Sequence, residues 1–261
     1  MTIVKHEMKQ GRKTLFLWTL GIGALLSVCV FLFPEMKSQM EGVNDVFASM
    51  GAFTDAFGMD RLNFGSLVGF YAIECGNILG LGGAFFAAFC GASALSKEEY
   101  EHTVEFLLTH PVSRKRVITE KLIIVVLQVT LLNVLIYVLS IGAIVAIDEA
   151  VPWKELSLLN VAYYFMQLEV AFICFGISAF LRKGGMGLGI GLAILMYFLN
   201  LIANITEKAD FLKMISPFGY CEAADIITDG ALDGTLLSIG AVIGLVAVLL
   251  AYLKYMRKDI R

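Results

Sequence analysis

Six stretches of this chain run for about 20 residues or more without a lysine or arginine, a length set by the bilayer, and that leaves few folds open. They cover approximately Thr14 to Phe33, Ser66 to Leu95, Leu122 to Ile147, Ser157 to Leu181, Met186 to Ile205 and Thr235 to Leu253. A helix rising 1.5 Å per residue needs about 20 apolar residues to cross a hydrocarbon core about 30 Å thick. The stretches do not alternate polar and apolar residues, as strands of a membrane barrel would. Charged residues make up 16% of the chain, against about a quarter in an ordinary soluble domain, and the mean hydropathy is +0.79. The expected fold is an all-α integral membrane protein, one transmembrane domain over residues 1–261 with six transmembrane helices.

The cations predict an orientation. Lys5, Lys9, Arg12 and Lys13 precede the first stretch; Lys97, Arg114, Lys115, Arg116 and Lys121 separate the second from the third. Arg182 and Lys183 separate the fourth from the fifth, and Lys254, Arg257, Lys258 and Arg261 follow the sixth. Fifteen of the 20 lysines and arginines therefore fall on one side, and 14 of the 23 acidic residues on the other. By the positive-inside rule both termini are cytoplasmic. The first stretch is long for a signal-peptide core and is followed by Pro34 and Glu35 rather than a cleavage pattern, so it is expected to stay as a permanent helix.

Several familiar chemistries find no support. Cys29, Cys75, Cys90, Cys174 and Cys221 are scattered with no metal-ligand spacing and no disulfide framework. The glycine run Gly184 to Gly191 opens a lipid-length helix instead of following a strand, so it is not read as a nucleotide loop. Its pairs Gly185/Gly189 and Gly187/Gly191, like Gly76/Gly80 and Gly240/Gly244, have the GxxxG spacing that lets helices approach closely in lipid. Packing within one bundle and packing between two copies both fit.

Between the second and third stretches lies a charged block, SKEEYEHTVEFLLTHPVSRKRVITEK, from Ser96 to Lys121. Ser96 followed by Glu99 is a capping-box pattern. Tyr100, Val104, Leu107 and Leu108 recur on one face, with Lys97, Glu98, Glu101 and Glu105 on others, until Pro111 ends the helix. A short amphipathic helix over residues 97–110 is predicted. Its polar face is mainly acidic, which suits a groove on a protein better than anionic lipid.

The run EHTVEFLLTHPVSRKRVITEK resembles the cytoplasmic signature of the type-2 ABC exporter permease family. The matching positions are Thr103, Glu105, Leu107, Leu108, Pro111, Val112, Ser113, Arg114 and Lys121; His102 departs from the pattern, in which a glycine often precedes the threonine. The N-terminal KHEMKQGRKTLFLW is similar to the family's interfacial elbow helix, and ISPFGYCEAADIITDG, with Pro217, Phe218 and Tyr220, to its external segment. The resemblance implies a permease subunit of an ATP-driven exporter, with helix 97–110 as a coupling helix. Glu99, Tyr100, Thr103, Val104, Glu105, Leu107, Leu108, Pro111 and Arg114 would then contact the ATPase. The chain has no GxxxxGK[ST] motif, so ATP and Mg would be bound by a separate ATPase subunit, present in two copies beneath two copies of the permease. No cofactor is expected on this chain, no nucleic acid as partner, and the cell membrane as its location.

Candidates for a substrate pathway come from the spans. Glu74 and Glu169 are intramembrane carboxylates, costly in lipid and functional by default. Asn77 lies near Glu74, and Phe85, Phe89, Tyr163 and Met166 offer apolar surface for a hydrophobic or amphipathic substrate such as a peptide, antibiotic or lipid-like molecule. The two glutamates could equally bond Asn77, Gln128, Asn133, Gln167 or Asn200 between helices. The competing class is an ion- or proton-coupled secondary transporter or channel using Glu74 and Glu169, although no internal repeat points that way. A membrane scaffold without transport is a third reading. The segment from Pro34 to Gly65, with Phe47, Met50, Phe53, Phe57 and Met59 in partial amphipathic periodicity, fits a short helix at the outer surface or a mobile loop.

Overall fold

A chain whose apolar stretches each exceed lipid length satisfies its backbone most simply within helices. The computed structural model describes residues 2–39, 61–96, 113–181 and 185–257, with Gly51, Thr54 and Ala56. Every regular element among these residues is helical. The long helices are α1 (Thr2–Gln39), α2 (Leu67–Ser93), α3 (Arg114–Ala146), α4 (Trp153–Ser178) and α5 (Met186–Ile205). After two short 3₁₀ turns come α6 (Ala223–Asp229) and the last long helix, α7 (Gly234–Arg257). Six of the seven, all but α6, are long and apolar enough to cross a membrane.

The helix ends depart from the apolar stretches where hydrogen bonding outside lipid takes over. The predicted elbow is not a separate helix: residues 2–13 are the opening turns of α1. From Glu7 to Lys13 only Gly11 interrupts good helix formers, at a cost of about 1 kcal/mol relative to alanine. At its other end α1 runs through Pro34 to Gln39; proline removes one backbone donor, which a membrane helix tolerates near an end. Helix α3 begins at Arg114 rather than Leu122, because Ser113 caps it by accepting from the Arg116 amide at 3.3 Å. At about 1.5 Å per residue, α1 and α3 are some 57 and 50 Å long, well beyond a 30 Å core. The predicted coupling helix falls outside the described residues, as does most of the segment between Gln39 and Arg61.

Helices α2 and α4 are the most buried, and α4 lies between α2 and α7. Helix α1 packs along α3, and α5 packs on the second half of α2. Small residues make these approaches possible. A Cβ on Gly91 would stand 2.3 Å from the Ala171 carbonyl oxygen, and one on Gly189 2.8 Å from the Ala88–Ala92 surface at Ala92 Cβ. Gly176 meets Ala247 of α7, while Gly240 and Gly244 meet Glu169 and Phe172 of α4. Three of the GxxxG pairs thus serve packing within this chain. The fourth, Gly187/Gly191, has open space around it.

The outer faces carry large apolar side chains, among them Leu17, Val138, Phe198 and Leu249, each more than half exposed. Such continuous exposure is what lipid-facing helices require and soluble proteins avoid.

Candidate functional site

The two ends of the bundle differ in charge. At one end the Glu120 carboxylate of α3 accepts the Ile3 and Val4 amides at 3.1 and 3.3 Å, satisfying donors that the start of α1 otherwise leaves free. Its second oxygen accepts Arg116 Nε at 2.9 Å. Next to it, Lys121 Nζ lies 3.4 Å from Glu7 Oε1, with Lys121 only 2% exposed. Tyr252 of α7 donates to Thr119 of α3 at 2.9 Å, and Lys254 sits over the Phe180 ring just beyond α4. The start of α1, the start of α3 and the close of α7 therefore meet at one end. It carries Lys5, Lys9, Arg12, Lys13, Arg114, Lys115, Arg116, Lys121, Lys254 and Arg257.

Of the residues expected to contact an ATPase, Arg114 is the first residue of α3 at this cationic end. Glu99, Tyr100, Thr103, Val104, Glu105, Leu107, Leu108 and Pro111 lie outside the described residues. Ser96, expected to cap the coupling helix, donates its hydroxyl back to the Ala92 carbonyl at 2.9 Å.

A cavity of about 670 Å³ opens between α1, α2, α3 and the start of α5 at the same end, and Phe89 lines it. A separate groove of about 480 Å³ runs between α1 and α2 and takes in Asn77 and Phe85. Midway, α2 departs from α-helical pitch in a π-turn, Gly76–Gly80. Both glycines face the Tyr163 ring, whose hydroxyl donates to the Cys221 carbonyl at 3.3 Å. Gln167 donates to the Leu79 carbonyl beside this turn and accepts from Asn133 at 2.7 Å, which joins α2, α3 and α4.

The candidate pathway residues are thus dispersed. Glu74 accepts from the Cys29 thiol at 3.6 Å. Glu169, 4% exposed, accepts from the Tyr220 hydroxyl at 2.9 Å and lies against Gly240. Neither carboxylate hydrogen-bonds any of the side-chain amides considered from the sequence. Met166 is fully buried. Tyr220 belongs to an irregular segment whose 3₁₀ turns carry no periodic signal, so its pairing with a glutamate 51 positions earlier has no trace in sequence spacing. The Glu120 clasp left a faint one, an acid four residues after Arg116 at the threshold of the third stretch.

At the opposite end Lys37 pairs with Glu149 at 2.8 Å and Arg61 with Asp225 at 2.5 Å. Glu222, just before α6, is 9% exposed and accepts from Asn204 Nδ2 at 2.7 Å. Burial pushes its carboxyl above the usual range; the Asn204 bond opposes this, Asp225 adds to it, and Arg61 and Lys213 pull it back. Burial likewise pushes the Tyr220 hydroxyl and the Cys221 thiol up. Above the ordinary glutamate value of about 4.3, the folded chain keeps a Glu222 proton that the unfolded chain gives up. Stability contributed here is present at low pH and is lost as pH rises through the raised folded value. Glu222→Gln is expected to flatten that slope, so that its thermal midpoint gains on the wild type from pH 4 towards neutrality, as stated by the same linkage. Parallel midpoint-against-pH curves for the two proteins would refute this.

A family model described as ABC-2 family transporter protein matches residues 1–260. The chain belongs to the ABC-2 transporter family. No curated protein matches it. As an ABC-2 chain with six helices of spanning length it is a multi-pass membrane protein, and its family is that of membrane subunits of ABC transporters. Family membership accounts for the apolar surfaces of α1, α3, α5 and α7 as lipid contacts.

Proposed function

We propose that this chain is the permease subunit of an ATP-driven exporter, forming the route for a hydrophobic or amphipathic substrate and driven by a separate ATPase subunit. The observation that carries the reading is the convergence at the cationic end. Ser96 and Ser113, between which the charged block is strung, both stand where the elongated starts of α1 and α3 extend past lipid length. A soluble ATPase has its contact surface there. Residues 97–110 form the coupling helix in this reading, with Glu99, Tyr100, Thr103, Val104, Glu105, Leu107, Leu108, Pro111 and Arg114 meeting the ATPase. The cationic end is then cytoplasmic and holds both termini, in the cell membrane.

Two permease copies and two ATPases make the working unit, with ATP and Mg on the ATPases. ATP shifts the permease between inward- and outward-open states only through contacts that differ between those states. The coupling helix supplies them.

The test is purification of the wild-type chain from native membranes in mild detergent, with identification of co-purifying proteins and an ATPase assay. A stoichiometric ATPase, absent when Glu105→Lys and Leu108→Asp are combined, is the expected result. Recovery of a single species with no ATPase would move the assignment to an ion-coupled transporter.

A further inference from the structure

We propose that the cavity of about 670 Å³ at the cationic end of a single chain binds an amphiphile whose head group carries both a positive and a negative charge. Its volume lies within the range of about 300–1,000 Å³ typical of small-molecule sites. Helix register orders its lining by depth. The start of α1, the start of α3 and the close of α2 meet at the cationic end, so Glu7, Lys121 and Ser96 stand at the mouth. Two to three turns deeper along α2, about 10 to 15 Å from Ser96, lie Phe89 and Phe86, while Val125 of α3 lies about one turn beyond Lys121.

The charges at the mouth are fixed by structure. Lys121 is 2% exposed, anchored beside Glu7, and Glu7 remains partly open at 21%. A purely anionic head would meet Glu7, and a purely cationic head would meet Lys121. A head with both charges complements the pair, while its tail replaces water against Phe86, Phe89 and Val125. Gly11 lets the Gln128 amide of α3 lie against α1 on the cavity wall, where a Cβ would collide with it.

The inference names a ligand class for the permease reading, yet binding requires no ATPase. Labelling and ATPase association therefore fail independently. The test uses the wild-type full chain in nanodiscs of phosphatidylglycerol. Three probes with the same dodecyl tail, ending in a diazirine, carry phosphocholine, sulfate or trimethylammonium heads. After photolysis, the phosphocholine probe is expected to label Phe86 and Phe89 roughly tenfold more than the other two, the ratio produced by about 1.4 kcal/mol of head-group discrimination. Unlabelled dodecylphosphocholine should remove that labelling. In phosphatidylcholine discs, suppressed labelling assigns the site to bilayer lipid, and persistent labelling to a single-chain amphiphile; either result supports the site. Equal labelling by all three heads, or labelling confined to lipid-facing Leu17, Val138 and Leu249, would overturn it.

Discussion

Replacing Gly91 by leucine is expected to eliminate the folded protein. At this position α2 and α4 touch backbone to backbone: a Cβ would come within 2.3 Å of the Ala171 carbonyl oxygen, 2.9 Å of Cys174 Cβ and 3.0 Å of the Phe175 amide nitrogen. No flexible side chain can yield there, so the helices must separate along the most buried contact of the bundle. Overpacking a well-filled interior costs about 1–3 kcal/mol when side chains can adjust. A leucine driven into backbone costs more, a large part of the roughly 5–15 kcal/mol that holds an ordinary domain together. Gly91→Ala should already lower the thermal midpoint by several degrees, on the scale by which about 1 kcal/mol moves a domain. Gly187→Leu is the matched control, with nothing within 4 Å of its Cβ. Size-exclusion profiles in detergent would decide: a monodisperse Gly91→Leu peak at wild-type yield would show that α2 and α4 do not meet there.

That contrast also shows what the sequence could and could not disclose. Lipid thickness imposes one length on every span, so the six helices are legible as apolar runs. Their ends are not, because they are set outside lipid by particular hydrogen bonds. A rule that starts after the last charge opens the third span at Leu122, whereas Ser113 starts the helix and Glu120 gives its first turns a partner in α1. Pro34 reads as a stop and is a residue of α1. GxxxG spacing marks small residues without naming their partners, and so could not separate Gly189, which packs against Ala92, from Gly187, which faces open space. The pathway candidates within the spans stand out in the sequence by side-chain chemistry alone. The structure adds the long-range partners, Tyr220 for Glu169 and Cys29 for Glu74. The coupling helix remains a reading of pattern and family resemblance.

Glu120→Lys is expected to release the start of α1 from α3. Glu120 is 5% exposed and uses both oxygens, one on the Ile3 and Val4 amides and one on Arg116. A carboxylate at a helix N-terminus is worth about 0.3–1 kcal/mol on a surface and up to ~2 when partly buried. Arg116 is 56% exposed, so its ion pair with Glu120 adds only about 0.3–0.5 kcal/mol; the larger loss, about 1–3 kcal/mol, comes from the Ile3 and Val4 amides left without their acceptor. Lysine does worse than leave a gap, for it sets a third cation beside Arg116 and Lys121. Glu120→Gln retains one acceptor oxygen but turns an amide donor towards other donors, so an intermediate loss of about 1–2 kcal/mol is expected, near the value of a hydrogen bond to a charged group. Hydrogen exchange separates this from general destabilisation. Ile3, Val4 and the following turns of α1 should lose protection in the order wild type, Gln, Lys, while amides in the α2–α4 contact near Gly91 keep theirs. Unchanged protection at Ile3 and Val4 in the lysine variant would refute the clasp. In the permease reading the clasp ties α1 to the helix that follows the coupling segment, so a force on that segment reaches α1 through Glu120. Glu120→Lys should then leave ATPase binding intact while reducing the response of ATP hydrolysis to substrate. Loss of ATPase binding itself would instead place Glu120 within the docking surface.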